Sequence, residues 1–225
     1  MVHLARYTLE PGYEEAFDQW YRQDHVPRML SRRGWRSLYV YKCTTDPTRV
    51  SLYHLDDRAR DRRDGEVGAE ARLSEAPFRE GPFRSRGIRD YFARTWRQVS
   101  GRGQCAEDAR WLNVVMLDVL PDHAEAINRW YDEVHVPEIL SCPGWLGNRR
   151  FVSVDGGPRF LALYELSSPE LAFGSDEWAA AVGWDEHVAG IRGFHGFRVY
   201  ELVFGSGATP PGGRPDSGDD GGEPE

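Results

Sequence analysis

The chain has 225 residues, a formal net charge of −8, and 40% hydrophobic and 12% aromatic content, which is enough apolar material for an ordinary core. The acidic balance lacks the basic face that nucleic-acid binding requires, and no apolar stretch approaches the 18 residues of a membrane span. Cys43, Cys105 and Cys142 show no metal-type spacing, and the N-terminus carries no signal-peptide run. We therefore expect reduced thiols, no metal, no nucleic-acid or membrane partner, and a cytoplasmic protein.

In chain order, residues 2–9 read as a strand that stops at Pro11-Gly12, with His3, Ala5 and Tyr7 on one face. From Tyr13 the period changes. Tyr13, Ala16, Phe17, Trp20 and Tyr21 recur at three- and four-residue steps, as on one helix face, and His25 extends the stripe. Pro27 disfavours the α-conformation at Val26, so the helix is expected to end near His25, and a short turn can follow from Pro27 to Ser31. Strands follow at 36–43 and 50–55 around the turn Thr45-Asp46-Pro47-Thr48. Residues 56–74 form a mixed-charge run that reads as solvated surface. A helical or irregular segment at 78–89 and a strand at 91–99 complete the order β-α-β-β-α-β.

The same order then returns. Strand 111–120 breaks at Pro121, and helix 125–135 carries Ile127, Trp130, Tyr131 and Val134 on one face. Strands 148–154 and 160–166 flank the turn at 155–158, a helix lies within 175–191, and strand 197–204 closes the series. Residues 205–225 contain seven Gly, four Pro and no aromatic or large aliphatic residue, and carry −4 of the net charge. Such a segment cannot bury apolar surface and is expected to be disordered.

The return is a duplication. Trp20-Tyr21-x-x-x-His25-Val26-Pro27, with Leu30-Ser31 and Gly34-Trp35, recurs 110 residues later as Trp130-Tyr131-x-x-x-His135-Val136-Pro137, with Leu140-Ser141 and Gly144-Trp145. The expected organisation is a first unit at 1–100, a linker at 101–109, a second unit at 110–204 and the tail at 205–225. A β-α-β-β-α-β order is the ferredoxin-like plan, an antiparallel sheet with both helices on one face. Two such sheets can cover each other. The predicted fold is thus α+β: two tandem ferredoxin-like units forming a pseudo-two-fold α/β barrel, helices outside, with a small-molecule cavity between the sheets.

The repeated motif resembles the first-helix motif of EthD-like proteins in the dimeric α/β-barrel superfamily. The second copy, with Cys142-Pro143-Gly144-Trp145, matches more closely than the first, which has Arg33 where the family prefers Pro. The resemblance implies the barrel over residues 2–204. It also implies activities that range over cofactor-free monooxygenases, polyketide cyclases, dehydratases, lactone isomerases and haem-handling enzymes.

His135 and His25 are the expected acid/base residues, since imidazole beside aromatics transfers protons near neutral pH. The alternative is that each only hydrogen-bonds a carbonyl at the helix end. Tyr131, Tyr21, Trp130, Trp20, His3 and its counterpart Asn113 are the expected substrate contacts. His54 and Glu165 match across the repeat and read as surface positions; His187 and His195 have no histidine counterpart. The leading expectation is a cofactor-independent cyclase, isomerase or dehydratase acting on an apolar, oxygenated, polyketide-like or aromatic substrate. The alternatives are a cofactor-free or haem-using monooxygenase and a non-catalytic protein that sequesters a hydrophobic ligand. One chain supplies both sheets, so either a monomer with a pseudo-dimer inside it or a homodimer is expected.

Overall fold

A computed structural model describes residues 1–56, 82–83, 87–154, 156–181, 190–194 and 198–207. The first half contains β1 (Val2–Leu9), α1 (Glu14–Trp20), a π-helical turn (Tyr21–His25), α2 (Val26–Leu30), β2 (Trp35–Cys43), β3 (Thr48–Leu55) and β4 (Ile88–Gly103). The second contains β5 (Trp111–Val119), α3 (Ala124–Trp130), a second π-helical turn (Tyr131–His135) and α4 (Val136–Ser141). It continues through β6 (Trp145–Ser153), β7 (Phe160–Leu166), α5 (Pro169–Gly174), α6 (Asp176–Ala181), β8 (Ile191–Phe194) and β9 (Arg198–Gly207). All of the mixed-charge run except Asp56, the later helical segment of the first half apart from Pro82, Phe83 and the residues from Gly87, His187, His195 and residues 208–225 lie outside the described residues.

The strands close on themselves. Their order is β7-β6-β4-β1-β3-β2-β9-β5, and β5 returns to β7, which makes an eight-stranded antiparallel barrel with β8 also paired to β5. Closure crosses between the halves at two places. The N-terminal part of β4 pairs with β1, while its C-terminal part, Trp96 to Gly103, pairs with β6. In the same way β9 pairs with β5 through Arg198–Glu201 and with β2 through Tyr200–Gly207. β4 thus takes in the first three residues of the expected linker, and β9 the first three of the expected tail.

Strand alternation sends the two faces to different cores. Inside the barrel, Val2, Leu4, Leu52, Leu112, Leu161 and Phe151 from both halves pack into one apolar cluster. Here the structure corrects the expectation of a cavity between the sheets: large apolar side chains from both halves interdigitate in that space. On the outer face each half has its own second core. Phe17, Tyr21, Val26 and Met29 of the first helical segment pack on Ala5, Tyr7, Leu38 and Tyr53. Ile127, Tyr131, Val136 and Ile139 do the same on Val115, Leu117, Ala162 and Tyr164.

The helix also does not end near His25. Val26 stays helical (φ −58°, ψ −51°) and its N–H bonds the carbonyl of Tyr21, five residues back. Val136 bonds Tyr131 in the same way. In a regular α-helix the ring of Pro27 would meet the carbonyl four residues earlier and would have no N–H to offer it. Widening the preceding turn by one residue moves that carbonyl aside, so the chain passes the proline without breaking. Pro27 and Pro137 then sit in the first turn of the next segment, where the missing donor costs nothing. No described helix is long and apolar enough to cross a membrane.

Candidate functional site

The π-helical turn holds Tyr21 and His25 side by side over the sheet, with ring centroids 4.5 Å apart. Beneath them β3 presents Ser51 and Tyr53 on its outer face, and β1 presents Tyr7. The polar ends of these five buried side chains meet in series. His25 Nε2 lies 2.8 Å from the Tyr53 hydroxyl, and the Tyr53 and Tyr21 hydroxyls are 2.6 Å apart. The Tyr21 hydroxyl donates to Ser51 Oγ at 2.7 Å, and Tyr7 reaches the same Ser51 oxygen at 3.0 Å. His3 stands next to this chain, its ring 5.7 Å from that of Tyr53, with Nδ1 3.0 Å from Thr95 Oγ1.

The second half keeps the frame and changes the filling. Tyr131 and His135 are again adjacent (4.8 Å between rings), and Tyr164 takes the place of Tyr53. Ala162 stands where Ser51 does, and Leu117 where Tyr7 does, so the hydroxyl series has no counterpart. Tyr164 Oη is buried and has no hydrogen-bond partner among the described residues; the same is true of Asn113 Oδ1 on the adjacent strand. His135 is only partly buried and stacks on Trp130 at 4.7 Å and 23°. Arg150 lies over the Tyr131 ring at 4.4 Å and is anchored by Asp132 at 2.7 Å.

Burial sets the protonation of these groups. Loss of water around the imidazole, with smaller contributions from Arg28 and Arg32, pushes His25 down to about 3. Burial and then Arg150 lower His135 to about 4, and burial and then Arg94 lower His3 to about 3. All three are neutral at neutral pH. The same dehydration raises Tyr7, Tyr21, Tyr53, Tyr131 and Tyr164, so each remains a neutral hydroxyl that can donate or accept. Burial thus makes each imidazole a weaker base than a free one, and a proton reaches it only where a charge formed nearby compensates.

Of the predicted residues, Trp20, Tyr21, His25 and His3 gather at one helix–sheet junction, and Trp130, Tyr131, His135 and Asn113 at the other. The two histidines do not converge; each belongs to its own outer core. Their neighbours face the helices rather than the space between the sheets, because odd-numbered β1 residues point outward. His25 bonds the Tyr53 hydroxyl through Nε2. Trp130 is almost fully buried while Trp20 is less so, packing on Phe17 and Phe83.

His54 and Glu165 correct another expectation, since both are buried and face the barrel interior. His54 Nδ1 meets Ser37 Oγ at 3.1 Å, and its Nε2 meets Arg149 at 3.3 Å. Glu165 receives the Ala106 N–H at 2.7 Å, so the pair fastens the 104–107 connection to both halves. Sequence reasoning missed Tyr53, Ser51, Tyr7, Tyr164 and Arg150. The signal was present in part: Ser51 and Tyr53 alternate on one strand face, and Tyr53-His54-Leu55 matches Tyr164-Glu165-Leu166.

Among the described residues no group of three or more His, Cys, Asp or Glu side chains is arranged to hold a metal ion. Several ring nitrogens of the described histidines are already engaged. His25 Nε2, His3 Nδ1 and both nitrogens of His54 are engaged by side chains, and His135 lies flat against Trp130. A surface cleft of about 330 Å³ between β2 and β9 is lined by Lys42, Cys43, Thr44, Glu201, Leu202 and Val203, none of them a predicted site residue.

No protein-family model and no curated protein sequence matches the chain. Solved structures do match its fold. An anthrone oxidase-like protein superposes with a TM-score of 0.64 at 11% identity, over 92% of this chain and 93% of the other. A protein from Fusobacterium nucleatum described as a monooxygenase gives a TM-score of 0.59 at 9% identity, over 92% and 93%. Chlorite dismutase from Candidatus Nitrospira defluvii, in complex with imidazole, gives 0.57 at 9% identity, over 89% and 90%. At such identities the likeness establishes a shared α+β fold built on a large antiparallel sheet.

Proposed function

We propose that the chain is a small-molecule enzyme of EthD-like type, two ferredoxin-like units fused in one polypeptide, whose chemistry begins with removal of a proton from an apolar, oxygenated aromatic substrate. The observation that carries this reading is the repeated junction itself. In each half a π-helical turn sets a neutral histidine against a tyrosine, over a second tyrosine from the sheet. π-Helical turns of this kind are concentrated at functional sites. One of His25 and His135 is the proposed proton acceptor, with Tyr21 or Tyr131 of the same half orienting substrate oxygens.

The likeness to an anthrone oxidase-like protein and to a described monooxygenase favours oxidation after the proton is lost. In that reaction a ring methylene becomes a carbonyl, with dioxygen supplying the new oxygen and its second atom leaving as water. Cyclisation or isomerisation shares the first step and consumes no oxygen. The test is oxygen uptake by the purified protein supplied with an anthrone, with products identified by mass spectrometry. Uptake with quinone formation supports the oxidase reading, and an isomeric or dehydrated product without uptake supports the proton-transfer alternative. Unchanged substrate bound one to one would replace both with sequestration. Turnover that survives simultaneous His25→Ala and His135→Ala would remove the histidines from the mechanism.

A further inference from the structure

The two halves share a frame but differ in whether the hydroxyl of the sheet tyrosine, Tyr53 or Tyr164, finds a partner among the described residues. In the first half Tyr53 Oη meets both His25 and Tyr21, and Ser51 takes Tyr21 and Tyr7. A ligand entering there would have to break bonds that already exist. Beside this series His3 Nε2 is buried without a hydrogen-bond partner among the described residues, packed against the rings of Trp35 and Tyr53.

In the second half two substitutions remove the internal partners, Ala162 for Ser51 and Leu117 for Tyr7. Tyr164 Oη and Asn113 Oδ1 are the result: buried, without hydrogen-bond partners among the described residues, and directly opposite each other across the β5–β7 ladder. A buried polar atom without a partner costs free energy, and two at paired positions call for a common partner. One is a donor or acceptor, the other an acceptor only. Trp145 stands at right angles to the Tyr164 ring, 5.3 Å away, and supplies an aromatic wall. Arg150 lies over the Tyr131 ring at 4.4 Å with its charge paired to Asp132 at 2.7 Å, and burial keeps Tyr131 and Tyr164 neutral, so the site suits a neutral polar ligand. His135 is partly open to solvent, whereas His25 is fully enclosed.

We infer that the second half alone receives the ligand, and that the ligand is a planar aromatic bearing a neutral hydroxyl next to a carbonyl, held by Tyr164 and Asn113. The neutral hydroxyl donates to Asn113 Oδ1, and the carbonyl accepts from Tyr164 Oη. The first half is then a scaffold whose hydroxyl series replaces the ligand. This inference rests on the enzyme reading above and assigns its site to one half.

The test is equilibrium binding of 5-hydroxy-1,4-naphthoquinone, with 1,4-naphthoquinone as the control lacking the hydroxyl, followed by tryptophan quenching in the full chain and in Tyr164→Phe and Tyr53→Phe variants. The expected result is preference for the hydroxylated probe and a loss of about tenfold in its affinity in Tyr164→Phe. Tyr53→Phe should keep the affinity and lower the melting temperature. Loss in Tyr53→Phe with none in Tyr164→Phe would move the site to the first half and overturn the proposal. Equal loss in both, or no preference for the hydroxylated probe, also overturns it, the latter meaning that water alone satisfies Tyr164 and Asn113. The enzyme reading fails separately: a probe that binds as described while no substrate turns over leaves this assignment standing and removes the catalysis. Asn113→Leu, which keeps the size of the side chain and removes the acceptor, provides a second variant if Tyr164→Phe does not fold.

Discussion

The Nε2 of His25 lies 2.8 Å from the Tyr53 hydroxyl, a bond that ties the π-helical turn of the first half to the sheet below it. Removing that hydroxyl leaves His25 Nε2 short of a partner in a dry core. Tyr53→Phe should therefore destabilise the fold by about 1–3 kcal/mol, as expected for one stranded buried group, since the Tyr21 hydroxyl keeps Ser51. Tyr164→Phe removes a hydroxyl with no partner among the described residues and should change stability by less than about 1 kcal/mol. Urea unfolding of the two variants side by side measures the difference.

Stability should fall steeply with acid. His3, His25 and His54 are held near 3 in the folded chain by burial, against 6.5 in the unfolded chain. Above pH 6.5 both states are neutral and nothing is lost. Below it only the unfolded chain takes the protons, so each histidine costs about 1.4 kcal/mol per pH unit until the pH reaches the folded value. Urea midpoints recorded from pH 7 to pH 4 should decline throughout. His3→Asn, which installs the residue found at position 113, should make the decline shallower by one histidine's share.

Gly147 tests the seam between the halves. A Cβ there would lie 1.6 Å from the Gln104 carbonyl oxygen, a backbone atom that cannot swing away. Gly147→Ala should cost about 3 kcal/mol or more, because strand β6 and the connection must separate. Gly12→Ala, with φ +87° and open space around it, should cost only about 1–2 kcal/mol from the left-handed backbone. Thermal unfolding of both variants gives the comparison.

Separated halves should not fold. Expressed alone, residues 1–104 would leave the end of β4 and the outer edge of β2 unpaired, and residues 105–207 would do the same to β6 and β9. Circular dichroism should show each fragment largely unfolded, and mixing them should restore the native spectrum. Independent folding of either fragment would contradict the interlocked closure.

Much of the fold was legible in the sequence. The 110-residue spacing of Trp, Tyr, His, Pro and Gly announced a duplicated framework, and strand alternation placed His3 with Tyr7. The path past Pro27 was not legible. Local preference argues for a break before proline, and only packing of the continuous segment Phe17–Met29 on one sheet makes the wider π-helical turn worth keeping. Nor was the inward burial of His54 and Glu165, whose partners Ser37, Arg149 and the 104–107 connection come from distant parts of the chain.

The sequence by itself determined the repeated motif, the strand and helix that open each half and the histidine–tyrosine pair at each junction, because these depend on spacing along one chain. Tertiary structure decided which face those residues serve, and it moved the candidate site from between the sheets to beneath the helices. It also decided that the two copies are unequal. Whether a buried hydroxyl is satisfied depends on side chains that arrive from other strands, Ser51 and Tyr7 in one half and Ala162 and Leu117 in the other, and no motif within a single helix records that.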